Sequence, residues 1–424
     1  MGKMTNTEIL IIGGGYSGIV AALSAARKFP NKSITILEGS HSIGRKILVS
    51  GAGRCNFTNS RLQNSPENYF YNSDKKLLRS IFNQCGFQDI INYYEDIGIL
   101  WYEESKTEMG KIFPISDSAK NILKIFESQL AFFNIQALTG HKVVDVEKEG
   151  EKFFVSAKVD EKTNAYFYAD KVILTTGGRS YPGLGSDGSG YALARKFGHN
   201  IVEPVPAGCP LLSKNPICSN LAGTKIKANL RLINKNSILG DVTGDLLFTK
   251  KGISGNTIFA LSRVVSVGIH REKSNDYRVL INFTEMESFR LIKHFEVVSK
   301  KNPKLPIIDI LYGIVNFKLA NYLIDRLKIP QNAKFFEIEK EKIHELVKTL
   351  TDFGISITGT GDWNEAEFTS GGVETSEVNS VTLESLKVKG LYLSGEILNI
   401  DGEIGGFNMS WAFASGYIAG KLNN

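Results

Sequence analysis

The sequence predicts an α/β protein in which the first and last parts of the chain form one domain around a parallel sheet. Three observations predict this architecture. Residues 8–38 read as strand, glycine-rich turn, helix and strand, residues 171–178 as a buried strand ending in glycines, and residues 391–422 as a strand, a glycine pair and a helix. Residues 206–359 lack this pattern and are predicted to form an insert.

The bulk composition is that of a folded protein with more than one domain. A chain of 424 residues is expected to form two or three domains. The net charge is +6, and basic runs such as Lys250-Lys251 are short and lack interleaved aromatic residues, so no nucleic-acid partner is expected. The cysteines form no CxxC pair, and no apolar stretch of about 20 residues would span a membrane. A cytoplasmic location is therefore expected.

The first strand, turn and helix carry the strongest pattern. The strand Ile9–Ile12 meets Gly13-Gly14-Gly15-Tyr16-Ser17-Gly18, an alanine-rich helix follows, and a second strand ends in Glu38. The first glycine of this GxGxxG motif makes the turn, the second admits a pyrophosphate, and the third lets the helix pack on the strand. An acid twenty residues later can bind both ribose hydroxyls and disfavours a 2′-phosphate. This is half of a Rossmann-type site for an unphosphorylated adenine dinucleotide.

The next segment begins to separate FAD from NAD as the ligand. It reads Gly44-Arg45-Lys46-Ile47-Leu48-Val49-Ser50-Gly51-Ala52-Gly53-Arg54-Cys55-Asn56-Phe57-Thr58-Asn59. Arg45 and Lys46 are expected to neutralise pyrophosphate charge, and the small residues Ser50 to Gly53 suit a backbone that lies close to a flat ligand. The alternative is a surface loop with incidental glycines.

A second glycine-ended strand is predicted at residues 171–178. This buried strand ends in Thr175-Thr176-Gly177-Gly178, as expected where a chain crosses close to a dinucleotide. The strands before it, around Lys142–Val146 and Phe153–Val155, are typical of the meander that leads the chain back to this point.

The last strand and helix complete the prediction of FAD. The strand Leu391–Leu393 leads through Gly395-Glu396 and Asp401 to Gly405-Gly406-Phe407-Asn408, where a helix begins. An acid at a strand end can bind ribityl hydroxyls. A glycine pair at a helix N-terminus directs N–H groups at the N1/C2=O edge of the flavin, which stabilises the anionic reduced ring. NAD has neither group, so FAD is the predicted cofactor.

These segments, together with Ser370-Gly371-Gly372-Val373, resemble a bacterial family of NAD(P)/FAD-dependent oxidoreductases that includes aminoacetone oxidase-like and BaiN-like flavoproteins. The resemblance covers nearly the whole chain. It implies non-covalent FAD, and a β-barrel plus a helical subdomain inserted between the two halves of the FAD domain. It also implies that Val143 contacts adenine through its backbone and that Glu38 and Glu396 bind the two sugar portions.

The predicted cofactor residues lie in short segments of the first and last parts of the chain. They are Gly13, Gly14, Gly15, Tyr16, Ser17, Gly18, Glu38, Gly39, Arg45, Lys46, Ser50, Gly51, Gly53, Arg54, Cys55, Asn56, Val143, Thr176, Gly177, Gly178, Gly395, Glu396, Asp401, Gly405, Gly406, Phe407, Asn408 and Met409. No metal ligand is predicted. No histidine lies in a recognisable triad, so the sequence assigns no catalytic residue.

The predicted domain boundaries follow the change of pattern and the resemblance. Residues 1–205 and 360–424 are assigned to the FAD-binding domain, 206–285 and 330–359 to an inserted β-barrel, and 286–329 to a small helical subdomain. The insert departs from the family at one loop. Where the family has Phe-Thr-His-x-Gly-x-Ser-Gly-Pro, Phe248–Asn256 carries lysine and asparagine in place of the His and Pro, which leaves the substrate chemistry of that loop open.

Two features suggest more specific chemistry than the sequence supports. Gly183-Leu184-Gly185-Ser186-Asp187-Gly188 is a second GxGxxG, but a six-residue loop separates it from the preceding strand, so a second nucleotide site is disfavoured. Cys55 has no partner cysteine within its loop. Thiol–disulfide chemistry is therefore disfavoured, and a small side chain packed near the flavin is the expected role.

These features predict an FAD-dependent oxidoreductase that acts on a small organic substrate by hydride transfer at flavin N5. An oxidase would pass electrons to O₂, whereas a reductase would take them from a transient NAD(P)H donor. The alternatives are a flavin-dependent RNA-modifying protein and a flavin-binding protein without turnover. The sequence specifies neither the substrate nor the oligomeric state.

Overall fold

The computed structural model describes residues 4–71, 74–104 and 109–423. The chain forms two compact units. The split unit comprises Met1–Val205 with Glu367–Asn424, and the inserted unit comprises Pro206–Ala366. The predicted α/β class is confirmed, whereas the assignment of the insert to a β-barrel and a helical subdomain stays a prediction.

The strands of the described residues are, in chain order, β1 (Met4–Ile12), β2 (Ile34–Leu37), β3 (Thr58–Asn59), β4 (Phe70–Tyr71), β5 (Trp101–Glu103), β6 (Lys111–Pro114), β7 (Gln136–Leu138), β8 (Lys142–Glu149), β9 (Lys152–Lys158), β10 (Asn164–Leu174), β11 (Ile201–Ala207), β12 (Leu211–Leu212), β13 (Lys225–Asn234), β14 (Ser237–Thr249), β15 (Gly252–Ser254), β16 (Tyr277–Asn282), β17 (Phe353–Ile357), β18 (Gly359–Thr360), β19 (Phe368–Val373), β20 (Leu391–Leu393) and β21 (Asp401–Gly402). The α-helices are α1 (Tyr16–Lys28), α2 (Lys75–Gln84), α3 (Phe87–Asp96), α4 (Ala119–Phe132), α5 (Ser189–Lys196), α6 (Pro216–Asn220), α7 (Asn256–His270), α8 (Ser288–Lys301), α9 (Ile307–Tyr312), α10 (Phe317–Arg326), α11 (Lys340–Thr351) and α12 (Phe407–Gly420).

The main sheet of the split unit brings the predicted motifs to one edge. Its strand order is β7-β2-β1-β10-β9-β8, and β20 also pairs with β10. Strands β2, β1, β10 and β20 run parallel, and their last residues, Leu37, Ile12, Leu174 and Leu393, lie at the same level of the sheet. Because ligands of open α/β sheets bind at the carboxyl ends of parallel strands, all four motifs meet where a cofactor is expected.

The two helices that flank this edge come from opposite ends of the split unit. Helix α1 follows β1, and α12 packs against it so closely that a side chain at Gly416 would clash with the backbone of Ser17. The hydroxyl of Ser24 donates a hydrogen bond to the carbonyl oxygen of Tyr417 at 2.6 Å. Small residues on both helices therefore permit a backbone-to-backbone contact.

The inserted unit is built around a second, antiparallel sheet. Its strand order is β17-β16-β13-β14-β15-β12-β18, and Thr358 alone separates the two edge strands along the chain. Residues 288–299, 317–327 and 341–350 show helical periodicity in the sequence, and helices α8, α10 and α11 form there. Helix α7 was not predicted, because its β-branched residues and its buried positions on several sides obscure a 3.6-residue period.

A buried histidine links helix α5 to the segment after β19. His199 is almost fully buried; its Nδ1 lies 3.0 Å from the carboxylate of Glu377 and its Nε2 lies 2.9 Å from the hydroxyl of Ser385. Burial lowers the pKa of His199, although Glu377 opposes that effect. The folded state therefore favours the neutral imidazole.

Acid is accordingly expected to weaken the split unit through His199. A lowered histidine pKa contributes stability that is present above the unfolded value of about 6.5 and is lost as pH falls through the folded value. Urea unfolding of the wild type on both sides of this pH should show the loss. The free energy of unfolding of His199→Gln, which cannot protonate, should change less between the two pH values. An equal change in both proteins would contradict the expectation.

Among the described helices, none combines the length and the apolar composition needed to cross a membrane.

Candidate functional site

The turn between β1 and α1 has the shape that the GxGxxG motif requires. The amide of Gly13 donates to the carbonyl oxygen of Leu37 at 2.8 Å, and Gly13 has a φ of 108°. A Cβ at Gly13 would lie 2.5 Å from the carbonyl oxygen of Thr175, and one at Gly18 would clash with the Gly13 carbonyl. At Gly15, by contrast, a Cβ would meet no atom within 4 Å. The turn is therefore tightly packed at Gly13 and Gly18 and leaves open space at Gly15.

The open side of this turn offers the groups that bind a pyrophosphate. Helix α1 starts at Tyr16 with no side-chain cap and no acid in its first turn, so its first N–H groups and positive dipole end remain available. Gly44 donates its amide to the carbonyl oxygen of Gly14 at 2.8 Å, which places Arg45 beside the turn. Arg45 is partly buried and forms no hydrogen bond or ion pair with the described residues. These residues fit the diphosphate of a dinucleotide.

Glu38 lies at the end of β2, against the same turn. Its carboxylate accepts the amide of Gly14 at 2.8 Å and that of Ser40 at 2.6 Å. A Cβ at Gly39 would lie 3.4 Å from Lys142, one residue before Val143, so the predicted adenosine contacts are neighbours. Whether these residues hold adenosine stays a prediction.

The second glycine-rich motif lies near Glu38 rather than forming a nucleotide turn of its own. A Cβ at Gly185 would lie 2.8 Å from the hydroxyl of Ser40. Residues 175–182 separate the end of β10 from Gly183, and the motif begins inside a short 3-10 turn, Pro182–Leu184, before α5 starts at Ser189. It therefore lacks the strand-to-helix turn that gives GxGxxG its phosphate-binding geometry.

The loop that carries Cys55 is held in an unusual backbone conformation. Gly51, Ala52, Gly53 and Cys55 all have φ values between 54° and 84°, and the amide of Cys55 donates to the carbonyl oxygen of Ser50 at 3.0 Å. Ala52 and Cys55 are strained in this left-handed conformation, whereas Gly51 and Gly53 adopt it at little cost. Burial raises the pKa of the Cys55 thiol to about 12, so the thiol stays protonated.

Replacing Cys55 with alanine is therefore expected to leave flavin reduction nearly unchanged. A buried, protonated thiol is a poor nucleophile, which agrees with the absence of a partner cysteine in the loop. The rate of flavin reduction by NADPH, compared with Cys85→Ala as a second buried cysteine, provides the measurement. A loss of about tenfold or more for Cys55→Ala alone would assign the thiol a chemical role.

The segment after Cys55 positions the start of helix α12. The side-chain amide of Asn56 donates to the carbonyl oxygens of Thr58 and Ile112, both at 3.0 Å. The side-chain amide of Asn59 donates to the carbonyl oxygen of Gly405 at 2.7 Å. A Cβ at Gly406 would lie 2.5 Å from the carbonyl oxygen of Thr58. The first and last parts of the chain thus build one corner of the site together.

The N-terminus of α12 is kept free of side-chain acceptors. Gly406 has a φ of 106° and precedes Phe407 without a capping side chain, and no acid lies in the first turn. Asn408 instead brackets Gly402, accepting its amide at 2.8 Å and donating to its carbonyl oxygen at 2.9 Å. Met409 is half-buried in the same turn. The helix dipole and its free N–H groups can stabilise an anion here, as the predicted flavin edge requires.

Glu396, the acid that follows β20, accepts several hydrogen bonds from neighbouring residues. Glu396 accepts hydrogen bonds from Lys46 at 2.8 Å, from the Thr369 amide at 2.7 Å, and from Gly178 and Ser180 at 3.3 Å. Burial would raise the pKa of Glu396, but Lys46 and the backbone amides outweigh it and lower the pKa. The assignments of Lys46 to pyrophosphate and Glu396 to a sugar stay predictions.

Several predicted residues turn away from the open side of the site. Tyr16 is buried, with its hydroxyl 2.6 Å from that of Tyr94. Arg54 pairs with Glu104 at 3.0 Å and covers the ring of Phe113. Other predicted residues serve as packing points: Thr176 fills the space beside Gly190, Gly177 lies near Ser186, Gly395 lies against Ser17, and Asp401 is fully buried in β21.

The sequence missed Ser180 and Thr369, which bind Glu396. Both lie outside the glycine-rich motifs, and no local pattern distinguishes them from other small polar residues. In the ranges 4–71, 74–104 and 109–423, no group of three or more His, Cys, Asp or Glu side chains is placed to hold a metal ion.

Two solved structures share this fold at low sequence identity. The open conformation of a flavocytochrome c3 fumarate reductase matches with a TM-score of 0.52 and 13% identity, over 99% of this chain and 78% of that one. The 3-ketosteroid delta1-dehydrogenase from Sterolibacterium denitrificans matches with a TM-score of 0.52 and 12% identity, over 98% and 99%.

Relatives with clear sequence similarity match over nearly their whole length. The 3-dehydro-bile acid delta(4,6)-reductase of Clostridium scindens is 35% identical over 98% of both chains. The ribosomal RNA dihydrouridine synthase of Haemophilus influenzae is 29% identical over 97% of both chains, and that of Escherichia coli is 29% identical over 98% of this chain and 97% of that one. The model of the HI0933-like protein Rossmann domain matches residues 7–422. The chain therefore belongs to the HI0933-like family of Rossmann-domain proteins and is a flavin-dependent oxidoreductase.

Proposed function

We propose that this protein uses FAD to reduce a carbon–carbon double bond conjugated to a carbonyl group in a small organic substrate. The names of the relatives support this reaction class. A delta(4,6)-reductase of a 3-dehydro-bile acid and a dihydrouridine synthase act on different molecules. Both names describe the addition of hydrogen to a double bond that is conjugated to a carbonyl group. The shared reaction is therefore better supported than either substrate.

The free N-terminus of helix α12 is the observation that carries this proposal. When bound, FAD supplies hydride transfer at N5. The first-turn N–H groups of α12, which follow Gly405 and Gly406 and have no side-chain cap, would stabilise negative charge on a reduced ring bound there. Thr58 and Asn59 hold this helix start in place through its glycine pair. Stabilisation of the reduced flavin supports hydride chemistry, and the names of the relatives favour its use in reduction.

Anaerobic flavin reduction tests the proposal. The purified protein is mixed with NADH or NADPH in a stopped-flow instrument, and the reduced protein is then mixed with a 3-oxo-4-ene steroid. We expect one nicotinamide donor to bleach the flavin absorbance and the enone to restore it. Restoration by O₂ but by no enone would identify an oxidase instead. A flavin that no donor reduces would leave only a binding role.

A second candidate function is the reduction of a uracil ring in RNA. The two dihydrouridine synthase relatives suggest it, and the distribution of charge favours it. The inserted unit contains 23 Lys and Arg residues against 16 Asp and Glu, whereas the rest of the chain contains 27 against 28. The whole basic excess therefore lies in one unit, as expected for contact with a polyanion. Nucleoside analysis of unmodified ribosomal RNA after incubation with protein and NADPH tests this candidate, because it detects dihydrouridine directly.

A further inference from the structure

We propose that the inserted unit binds single-stranded RNA at a surface formed by Tyr312, Phe317, Lys225 and Lys227, which we call the aromatic–lysine surface. This inference deepens the second candidate function and rests on it for the identity of the reacting ring. The sequence argued against a nucleic-acid partner because its basic runs lack interleaved aromatic residues. The fold brings aromatic and basic residues together from segments that lie about 90 residues apart.

Exposed aromatic side chains are concentrated in the inserted unit. Phe289, Tyr312, Phe317 and Phe336 are 61%, 38%, 64% and 59% exposed. In the part of the chain that the structure describes, Phe132 is the corresponding exposed aromatic residue of the split unit. Tyr312 and Phe317 lie against each other, and an exposed aromatic pair within one basic unit indicates a partner.

Tyr312 and Phe317 form an exposed aromatic stack, which we call the platform. Their rings stack with centroids 4.9 Å apart and an interplanar angle of 25°. Tyr312 ends α9, Phe317 begins α10, and a short turn joins the two helices. Successive bases of single-stranded nucleic acids stack on such side chains, and this contact tolerates many sequences because every base has a π face.

A cavity of about 340 Å³ opens beside this platform. Tyr312, Phe283 and the lysines Lys225 and Lys227 of β13 line it. This volume lies at the small end of the range of about 300–1,000 Å³ that is usual for organic ligands, and it suits a single unstacked base. The cavity therefore combines an aromatic wall with cations at its rim.

The two lysines form only exposed ion pairs, which phosphate groups can replace. Lys225 binds Asp245 at 2.7 Å, and Lys227 lies 3.6 Å from Glu285. Their side chains are 63% and 70% exposed, so such pairs are weak and readily exchanged. Lys318, beside Phe317, adds a third exposed cation to this surface. The aromatic–lysine surface thus has both parts of a single-strand binding site, a stacking platform and a positive rim.

Fluorescence anisotropy of a labelled, unstructured uridine-rich RNA with the full FAD-loaded chain tests this surface. We expect the double variant Tyr312→Ala/Phe317→Ala to bind about tenfold more weakly than the wild type. Phe132→Ala, which removes an exposed aromatic ring from the split unit, should bind like the wild type. Lys225→Ala/Lys227→Ala should flatten the dependence of log affinity on log salt by about 1.

Other outcomes would overturn the inference. These are no binding by the wild type at low salt, a double variant that binds like Phe132→Ala, or equal binding of inorganic polyphosphate, which carries charge but no bases. Should the alanine double variant fail to fold, Tyr312→Leu/Phe317→Leu keeps apolar volume while removing the stacking faces. Flavin oxidation by the enone is measured on the same preparations. RNA binding without reduction of any conjugated double bond would refute the proposed function and leave the surface intact.

Discussion

Replacing Gly15 with alanine is expected to weaken FAD binding about 10- to 100-fold while leaving the apoprotein folded. The position has room for a methyl group in the apoprotein, and its φ of −72° suits alanine. The methyl group would, however, occupy the open side of the turn where the backbone must approach the pyrophosphate, and overpacking of this kind costs about 1–3 kcal/mol. Titration of the apoprotein with FAD, followed by flavin fluorescence, gives the affinity.

The neighbouring glycine should behave differently. A methyl group at Gly18 would clash with the carbonyl oxygen of Gly13, so Gly18→Ala is expected to lower the free energy of unfolding by about 3 kcal/mol. Gly354→Ala provides a matched control, because its methyl group would make only an ordinary contact with Leu280. If Gly15→Ala bound FAD as tightly as this control does, the pyrophosphate would not lie at the α1 turn.

Lys46→Met is expected to lower the free energy of unfolding of the apoprotein by about 3 kcal/mol at neutral pH. The substitution leaves Glu396 ionised and largely buried without its cation, and removal of one partner of such a pair is costly. Urea unfolding of the apoprotein measures the loss. Lys32→Met, which breaks an exposed pair with Glu8, should cost less than about 1 kcal/mol.

Two further measurements separate the structural role of Lys46 from a cofactor role. The lowered pKa of Glu396 gives stability above its unfolded value of about 4.5, which is lost as pH falls through the folded value. Without Lys46, burial dominates and raises the pKa of Glu396, so the acid-induced loss through this group should disappear and stability should instead rise as pH falls. Lys46→Met/Glu396→Gln should recover part of the stability. If Lys46→Met instead lowers FAD affinity alone, the lysine serves the pyrophosphate.

The strands and turns at the carboxyl ends of the parallel strands were predictable because their sequence signals are local. Apolar runs ending in glycine mark the carboxyl ends of β1, β10 and β20, and parallel pairing then brings those ends together. The positions of glycines needed no knowledge of distant residues. The backbone of the candidate site therefore followed from the sequence.

The side-chain partners at the same edge were not predictable. Lys46 and Glu396 lie 350 residues apart, and nothing local distinguishes a lysine that binds phosphate from one that binds a buried acid. Tyr16 lies within the GxGxxG motif, yet its side chain turns inward, because its hydroxyl shares a hydrogen bond with that of Tyr94 in helix α3. Such choices depend on long-range packing. The lysines of β13 beside Tyr312 are a further example.

The sharing of one site between β1 and α1 on one side and β20 and α12 on the other sets an order of events during protein synthesis. When the first 205 residues have emerged from the ribosome, β10 lacks its neighbour β20, and the α1 surface around Ser17 and Ser24 lacks its covering helix. The intervening insert can fold meanwhile. We therefore expect stable FAD loading to require residues 391–420, which supply the strand and the helix that the first 205 residues lack.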